Sequence, residues 1–183
     1  MCLEETSIYK KLKAVFEKCG INPILVGGFA VNRYGYSRFT HDIDFMIEAS
    51  AYLSLEAEMK KIGYREVLRT GLFVRMKGAS DRELMVDFLF VNPATFKKLH
   101  RNGDTVTIDS NVFSVPSLFH LIAMKLHSIK NSRKRRFTTD MTDIIKLIER
   151  NDINVLDDAF KTMCLKFGNE NLYNQIVDVG KNP

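Results

Sequence analysis

Cysteine is scarce in this sequence, and long apolar runs are missing. The three cysteines among the 183 residues are odd in number and show no spacing typical of a metal site, so we expect reduced thiols and no disulfide scaffold. No apolar stretch approaches the roughly 20 residues that a membrane-spanning helix needs. Acidic residues stand near the N-terminus, where a signal peptide would carry cations, and this favours a cytoplasmic protein.

Internal repeats and a strong charge imbalance are absent as well. The 27 basic and 22 acidic residues leave a net charge of +5, and 45% of the residues are apolar, as in a globular protein with a sizeable core. Residues 128–137 contain no acid but five cations, namely Lys130, Arg133, Lys134, Arg135 and Arg136. Such a cluster is either a solvated loop or a surface for the phosphate groups of RNA or of a nucleotide.

Hydrophobic periodicity predicts a mixed first part and a helical second part. The predicted helices are 4–19, 29–35, 50–62, 117–130, 139–150 and 154–167. The predicted strands are 24–26, 42–47, two runs within 64–77, 83–91 and a hairpin within 105–115. We therefore predict an α+β fold with a mixed sheet and helices on one side. Residues 1–115 would form the core with its N-terminal helix, and residues 116–183 a small C-terminal helical part packed on that core as one compact unit.

Three acids in two apolar strands are the most informative feature. Asp42 and Asp44 are two residues apart, so in a strand both side chains point to one face, while Ile43 and Phe45 face the core. Adjacent like charges repel, and a divalent cation is the usual compensation. Asp87, a lone acid within MVDFLFV, would add a third carboxylate if the two strands are neighbours. Three such carboxylates suit a two-metal site of the kind used for displacement at phosphorus.

The paired glycines Gly27 and Gly28 precede the acids and follow an apolar strand. At a strand-to-helix turn, glycines let backbone N–H groups approach a phosphate closely, so we expect both residues to bind nucleotide phosphate. Each feature alone has a simpler explanation, a turn for the glycines and a solvated strand edge for an Asp-x-Asp pair. Their order along the chain favours a combined phosphate and metal site.

The Gly-Gly pair, the Asp-x-Asp pair and the distant Asp87 together resemble the pattern of the nucleotidyltransferase superfamily, which has the polymerase-beta-like fold. The tail at residues 118–148 has a helix with an internal Lys, a basic link and an Asp-x-x-Asp helix start. In this respect it resembles the minimal bacterial branch related to the AbiEii toxins of abortive-infection systems. The resemblance covers residues 22–47, 84–90 and 118–150.

This resemblance implies an enzyme that transfers NMP from an NTP, with ATP among the candidates, to an acceptor hydroxyl and releases pyrophosphate. It implies that Asp42 and Asp44 ligate Mg²⁺, and that Asp87 ligates the catalytic metal and helps to deprotonate the acceptor. Many members have Ser at the second glycine. Because Gly28 has no hydroxyl, its contact with phosphate would depend on the backbone alone.

Charged residues outside the acidic strands complete the candidate site. Lys125 lies on the apolar stripe of the predicted helix 117–130, so it either extends to solvent or reaches a triphosphate or a carboxylate. Asp140 and Asp143 begin the next helix, where acids suit the helix dipole; alternatively, one of them pairs with Lys125 and orients it. Arg38, just before the acidic strand, is a further candidate for phosphate contact.

The acceptor, the partners and even catalysis stay open at this point. Transfer to tRNA or another RNA and transfer to a small hydroxylated molecule such as an antibiotic are both consistent with the residues. A toxin of this branch would have an antitoxin protein as its partner. One alternative is a non-catalytic binding or regulatory module of the same fold. Another is a metal-dependent phosphohydrolase, although the four histidines form no ligand-spaced pair.

Overall fold

The computed structural model describes residues 7–80, 83–131 and 137–181. The cations Arg133–Arg136 lie outside the described residues, so the role of the basic cluster stays a prediction. The helices are α1 (Ile8–Lys18), α2 (Gly27–Arg33), α3 (Tyr52–Lys61), α4 (Pro93–Arg101), α5 (Leu118–Asn131), α6 (Phe137–Arg150), α7 (Asp158–Phe167) and α8 (Glu170–Lys181). The strands are β1 (Ile24–Leu25), β2 (Asp42–Glu48), β3 (Arg65–Arg69), β4 (Phe73–Lys77), β5 (Met85–Val91), β6 (Asp104–Ile108) and β7 (Asn111–Val115).

These strands form one sheet in the order β3-β4-β5-β2-β1-β7-β6. Strand β2 pairs in parallel with β5, and β1 pairs in parallel with β7. The remaining neighbours are antiparallel. The mixed sheet and its accompanying helices confirm the predicted α+β fold. The acidic strand β2 lies at the centre of the sheet, directly beside the strand that carries Asp87.

Aromatic packing holds the two acidic strands together on the face opposite the acids. Phe45 of β2 and Phe88 of β5 are register partners, fully buried and stacked with ring centroids 6.1 Å apart. Phe16 of α1 meets the Phe45 ring edge-on at 4.8 Å. Each of these rings removes a large apolar area from water, so a shift of one residue between β2 and β5 would expose apolar side chains and bury acids. The strand register that positions the acids is therefore stabilised by the core.

The described residues form two compact units. Unit 1 takes its residues from Met1–Ala30 and Phe39–Pro116 and contains the whole sheet, while unit 2 takes its residues from Val31–Arg38 and Ser117–Pro183. In unit 2, α5 packs against α6 and α7, and α8 packs against the same two helices. The division into folding domains at residues 115 and 116 stays a prediction.

Two helices were not predicted from the periodicity, although each has a recognisable beginning. The predicted strand 83–91 stops just before the pair Asn92-Pro93, and the periodicity predicts no helix directly after it. In the structure, the Asn92 side chain accepts a hydrogen bond from Thr95 N at 2.8 Å, and Pro93 starts α4 at a position where no N–H is needed. In the same way, the Asn169 side chain accepts from Leu172 N at 2.9 Å at the start of α8. The two cap residues, Asn92 and Asn169, are the sequence signals that mark where these helices begin.

Neither cysteine within the described residues forms a disulfide, and no described helix is suited to a bilayer. Cys19 and Cys164 are free thiols. Burial raises the pKa of Cys164 to about 11, so this thiol stays protonated at neutral pH. Within residues 7–80, 83–131 and 137–181, no helix has both the length and the apolarity needed to cross a membrane.

Candidate active site

The register of β2 and β5 places the three acids on one face of the sheet. Asp44 lies directly opposite Asp87 in the parallel pair, and Asp42 lies two residues before Asp44 on the same face. The residues between the acids, Ile43 and Phe45, are fully buried on the other face. The predicted alternation of acids and core residues is thus present, and the two strands are neighbours, as the convergence of the acids requires.

The carboxylates of Asp42, Asp44 and Asp87 converge closely. One oxygen atom from each of the three lies within 4.8 Å of the other two. Asp87 is only 3% exposed, whereas Asp42 and Asp44 are half-buried. The Thr40 hydroxyl donates to Asp42 Oδ1 at 3.3 Å and so orients that carboxylate. A set of hard oxygen donors at this spacing, with part of its surface open to solvent, is compatible with a divalent metal ion.

Gly27 lies directly against this acidic group. The backbone N–H of Val26 donates to the carbonyl oxygen of Asp44 at 2.8 Å, which ties the turn to the middle of β2. Gly27 has a φ of +63°, and a Cβ atom at this position would collide with the Asp44 carboxylate. The backbone conformation and the close approach of the Asp44 carboxylate therefore each require a glycine at this position.

The backbone N–H groups of Gly27 and Gly28 lie at the start of α2. The first helical hydrogen bond runs from Ala30 N to Val26 O at 3.5 Å. The N–H groups of Gly27 and Gly28 precede that bond and have no carbonyl of their own helix to donate to. Both glycines that are predicted to bind phosphate therefore lie at the start of α2, and Gly27 also lies close to the acids.

Arg75 is a site residue that the sequence analysis missed. It lies on β4 directly opposite Asp87 on β5. Its guanidinium donates from Nε to Asp87 Oδ1 at 2.8 Å and from Nη2 to Asp87 Oδ2 at 2.6 Å, with a longer contact of 3.4 Å to Asp42 Oδ2. The hydrogen bond with Asp87 is the main cause that raises the pKa of Arg75. The sequence contains one signal for this residue, because a cation stands between Val74 and Met76, which are buried in the structure. It does not show which strand lies beside Arg75.

A second charged cluster lies within unit 2. Lys125 on α5 is buried, and its ammonium group donates to Asp140 Oδ1 at 3.0 Å and to Asp143 Oδ2 at 2.6 Å, both on α6. Ser128, which the sequence analysis did not consider, donates its hydroxyl to Asp140 Oδ2 at 2.8 Å. Both acids therefore pair with Lys125, whereas the sequence offered pairing of only one of them, as an alternative to a role at the helix dipole.

Arg38 belongs to the same cluster of unit 2. Its guanidinium forms a two-point contact with Asp143, from Nε to Oδ1 at 2.7 Å and from Nη2 to Oδ2 at 2.9 Å. The Asn32 side chain holds the Arg38 backbone by accepting from its N–H at 2.9 Å and donating to its carbonyl oxygen at 3.1 Å. Asp143, with a side-chain exposure of 1%, is thus shared by two cations, Arg38 and Lys125.

Comparison with known sequences identifies one family along nearly the whole chain. Residues 12–180 match the model of a family described as nucleotidyl transferase AbiEii toxin, type IV TA system. No curated protein matches the sequence at a significant level.

Solved structures with the same fold include several nucleotidyltransferases. The structure of ANT(2'')-Ia in complex with adenylyl-2''-tobramycin has a TM-score of 0.66 and 14% identity, covering 86% of this chain and 93% of that one. An antigenic nucleotidyltransferase-like protein from Paracoccidioides brasiliensis has a TM-score of 0.57 and 17% identity, covering 94% and 91%. The lincosamide antibiotic adenylyltransferase LnuA, bound to lincomycin, has a TM-score of 0.54 and 17% identity, covering 75% and 94%. At these identities the likeness shows the fold alone.

Proposed function

We propose that this chain moves an NMP from an NTP to an acceptor hydroxyl in a Mg²⁺-dependent reaction. The chain belongs to the AbiEii nucleotidyl transferase toxin family of type IV toxin–antitoxin systems. Membership of this family makes the chain a nucleotidyltransferase. The observation that carries the proposal is the convergence of Asp42, Asp44 and Asp87, whose oxygen atoms lie within 4.8 Å of one another. Carboxylate oxygens in this number are the ligands that Mg²⁺ prefers, and they also suit a pair of ions.

In the proposed reaction, the acceptor oxygen forms a bond to the α-phosphorus, and the bond from that phosphorus to the bridging oxygen breaks to release pyrophosphate. Mg²⁺ held by these carboxylates would neutralise phosphate charge and make the acceptor hydroxyl more acidic. Asp42 and Asp44 hold the ions through their carboxylates. Asp87 also ligates the catalytic ion and helps to take the acceptor proton as general base, for which its position beside Asp44 is suitable. Most of the rate enhancement then comes from positioning and charge neutralisation.

In this proposal, Gly27 and Gly28 of unit 1 bind nucleotide phosphate, and Arg38 and Lys125 of unit 2 are separate candidates for phosphate contact. The two glycines offer backbone N–H groups at the start of α2. Arg38 has 24% of its side chain exposed while Asp143 holds its guanidinium in place. Lys125 has three N–H donors, and Asp140 and Asp143 accept two of them. Asp140 and Asp143 support the binding by fixing these cations.

The proposed acceptor is tRNA or another RNA, because the basic cluster at residues 128–137 suits a polyanion. The second candidate is a small hydroxylated molecule. This alternative is favoured by the shared fold of two proteins. ANT(2'')-Ia was solved in complex with adenylyl-2''-tobramycin, and LnuA was solved with lincomycin bound. An antitoxin protein is the further partner that the family name suggests.

The proposed activity is tested by incubating the protein and Mg²⁺ with each of the four α-labelled NTPs and either total RNA or a panel of hydroxylated small molecules. We expect Asp44→Asn to reduce label transfer by about a hundredfold or more, because the neutral amide no longer holds the cation. Asp152→Asn is the matched control. Asp152 is exposed and has a φ of +49°, which asparagine tolerates, so this variant should retain full activity.

The same assay distinguishes the remaining alternatives. Label in RNA supports the RNA acceptor, and label in a small product supports the alternative acceptor. If the Asp44→Asn variant transfers label to every acceptor as well as the unmodified protein does, the assigned chemistry is refuted. Absence of NTP binding by calorimetry would favour a non-catalytic module. Release of phosphate without transfer would favour a phosphohydrolase.

A further inference from the structure

Arg75 occupies the oxygen atoms that the proposed chemistry needs. Its Nε and Nη2 donors bond to the two oxygens of Asp87 at 2.8 and 2.6 Å. This two-point contact is the strongest geometry available to an arginine and a carboxylate. Asp87 therefore cannot offer an oxygen in this direction to a cation, or to an acceptor proton, unless the guanidinium moves away from it.

Local charge explains why an arginine lies here. Asp42, Asp44 and Asp87 bring three carboxylates within 4.8 Å of one another, and such a group of like charges destabilises the fold unless it is compensated. Arg75 supplies one positive charge, and its guanidinium contacts both Asp87 and Asp42.

Exposure shows which partner is able to move. Asp87 is 3% exposed and is held in the centre of the sheet by β5, whereas the Arg75 side chain is 31% exposed. The long arginine side chain can therefore turn toward solvent while its Cα atom stays in β4. The carboxylate has no comparable freedom.

We propose that Arg75 is the internal counter-cation of Asp87 and competes with the divalent ion for this carboxylate. The proposal rests on the proposed function and deepens it, because it assigns the control of metal affinity to a residue of β4. The guanidinium stabilises the acidic group before the metal binds, and metal binding displaces it from at least one oxygen of Asp87. Arg75 is in this sense a positioning residue that makes metal binding weaker and easier to reverse.

The test measures Mn²⁺ affinity in the absence of nucleotide, by the electron paramagnetic resonance signal of free Mn²⁺. We expect Arg75→Gln to bind Mn²⁺ about tenfold or more tightly than the unmodified protein, because a competing positive charge next to the metal is removed. Arg69→Gln is the matched control. Arg69 on β3 is also an arginine bonded to carboxylates, those of Glu56 and Glu66, but it contacts none of the three acids. This variant should leave Mn²⁺ affinity unchanged.

Thermal unfolding gives a second readout. Without metal, Arg75→Gln should unfold at a lower temperature because Asp87 loses its partner, and Mn²⁺ should raise this temperature more than it does for the unmodified protein. If Arg75→Gln fails to fold, Arg75→Lys decides the question. Lysine keeps the charge but cannot form the two-point contact, so we expect Mn²⁺ binding that is a few times tighter, on the order of threefold.

Equal or weaker Mn²⁺ binding by the folded Arg75 variant, with an active unmodified protein, would overturn only the role of Arg75 and leave the proposed function intact. It would mean that Arg75 merely ties β4 to β5. Absence of Mn²⁺ binding in both the unmodified protein and Arg75→Gln would instead overturn the metal site, and with it both proposals. The two failures are therefore distinguishable.

Discussion

Gly27 and Gly20 share a left-handed backbone conformation but differ in their surroundings. Their φ angles are +63° and +65°, so an alanine at either position is strained by the backbone alone. A Cβ atom on Gly20 would meet nothing within 4 Å, whereas one on Gly27 would collide with the carboxylate of Asp44. The chain thus provides an internal control that separates backbone strain from damage to the acidic group.

We expect Gly20→Ala to lower the free energy of unfolding by about 1–2 kcal/mol and to leave Mn²⁺ binding unchanged. Gly27→Ala should lower the free energy of unfolding further, because Asp44 must move, and should also weaken Mn²⁺ binding. Urea denaturation and Mn²⁺ titration measure the two effects. Similar losses in both variants, with Mn²⁺ binding retained, would mean that the contact between Gly27 and Asp44 does not matter for the site.

The connection between helices α5 and α6 depends on a buried lysine. Lys125 stands on the apolar face of α5, where the amphipathic pattern alone would place an aliphatic residue. It is tolerated because Asp140 and Asp143 both accept from its ammonium group, and Arg38 and Ser128 bond to the remaining carboxylate oxygens. Lys125 is the cation that the two buried acids share, so its removal leaves Asp143 with Arg38 and Asp140 with the neutral hydroxyl of Ser128.

Replacing Lys125 by methionine should lower the free energy of unfolding by about 3–5 kcal/mol, because it leaves two acids buried near each other. The matched control is Lys146→Met on α6. Lys146 pairs with Glu149 at 2.6 Å on the surface, and loss of such an exposed pair should change the free energy by about 0.5 kcal/mol or less. Denaturant unfolding of both variants measures the difference. Equal losses would show that the cluster around Lys125 contributes no more to stability than a surface ion pair.

The elements that were predicted and those that were missed differ in the kind of signal they carry. Strand β2 alternates acids with buried residues, and this local pattern was sufficient to predict it. Helix α4 was missed because it begins at Pro93, directly after the predicted strand 83–91, where a proline is also typical of a turn. Helix boundaries depend on one or two cap residues, so they are less reliable than the existence of a long periodic element.

The net charge of +5 is a property of the whole molecule, and a positive charge attracts a polyanionic acceptor such as RNA. If RNA is the acceptor, tRNA affinity should fall by about a hundredfold or more between about 50 and 200 mM salt, because bound phosphates release counterions. Filter binding at several salt concentrations measures this slope. An RNA affinity that is absent or independent of salt would contradict the RNA acceptor and favour the small hydroxylated molecule.

The assembly of the sheet decides which charged residues meet. The resemblance to the nucleotidyltransferase superfamily grouped Asp42, Asp44 and Asp87 without any strand order, and the family match over residues 12–180 confirms that resemblance. No such pattern indicated Arg75, which joins the acids only because β4 is antiparallel to β5 with Arg75 opposite Asp87. In the same way, the pairing of Arg38 with Asp143 joins residues 105 positions apart in the chain.

Features that arise from neighbouring residues were readable without coordinates: the two-residue spacing of Asp42 and Asp44, the glycine turn before them and the apolar stripe that contains Lys125. These depend on the alternation of a strand and the turn of a helix, which are local properties of the backbone. The meeting of Asp87 with Asp44, and of Arg75 with both acidic strands, depends on strand order and register. Order and register are determined by the packing of the whole core, in which Phe45, Phe88 and Phe16 come from distant segments, and for this reason no short stretch of the chain contains that information.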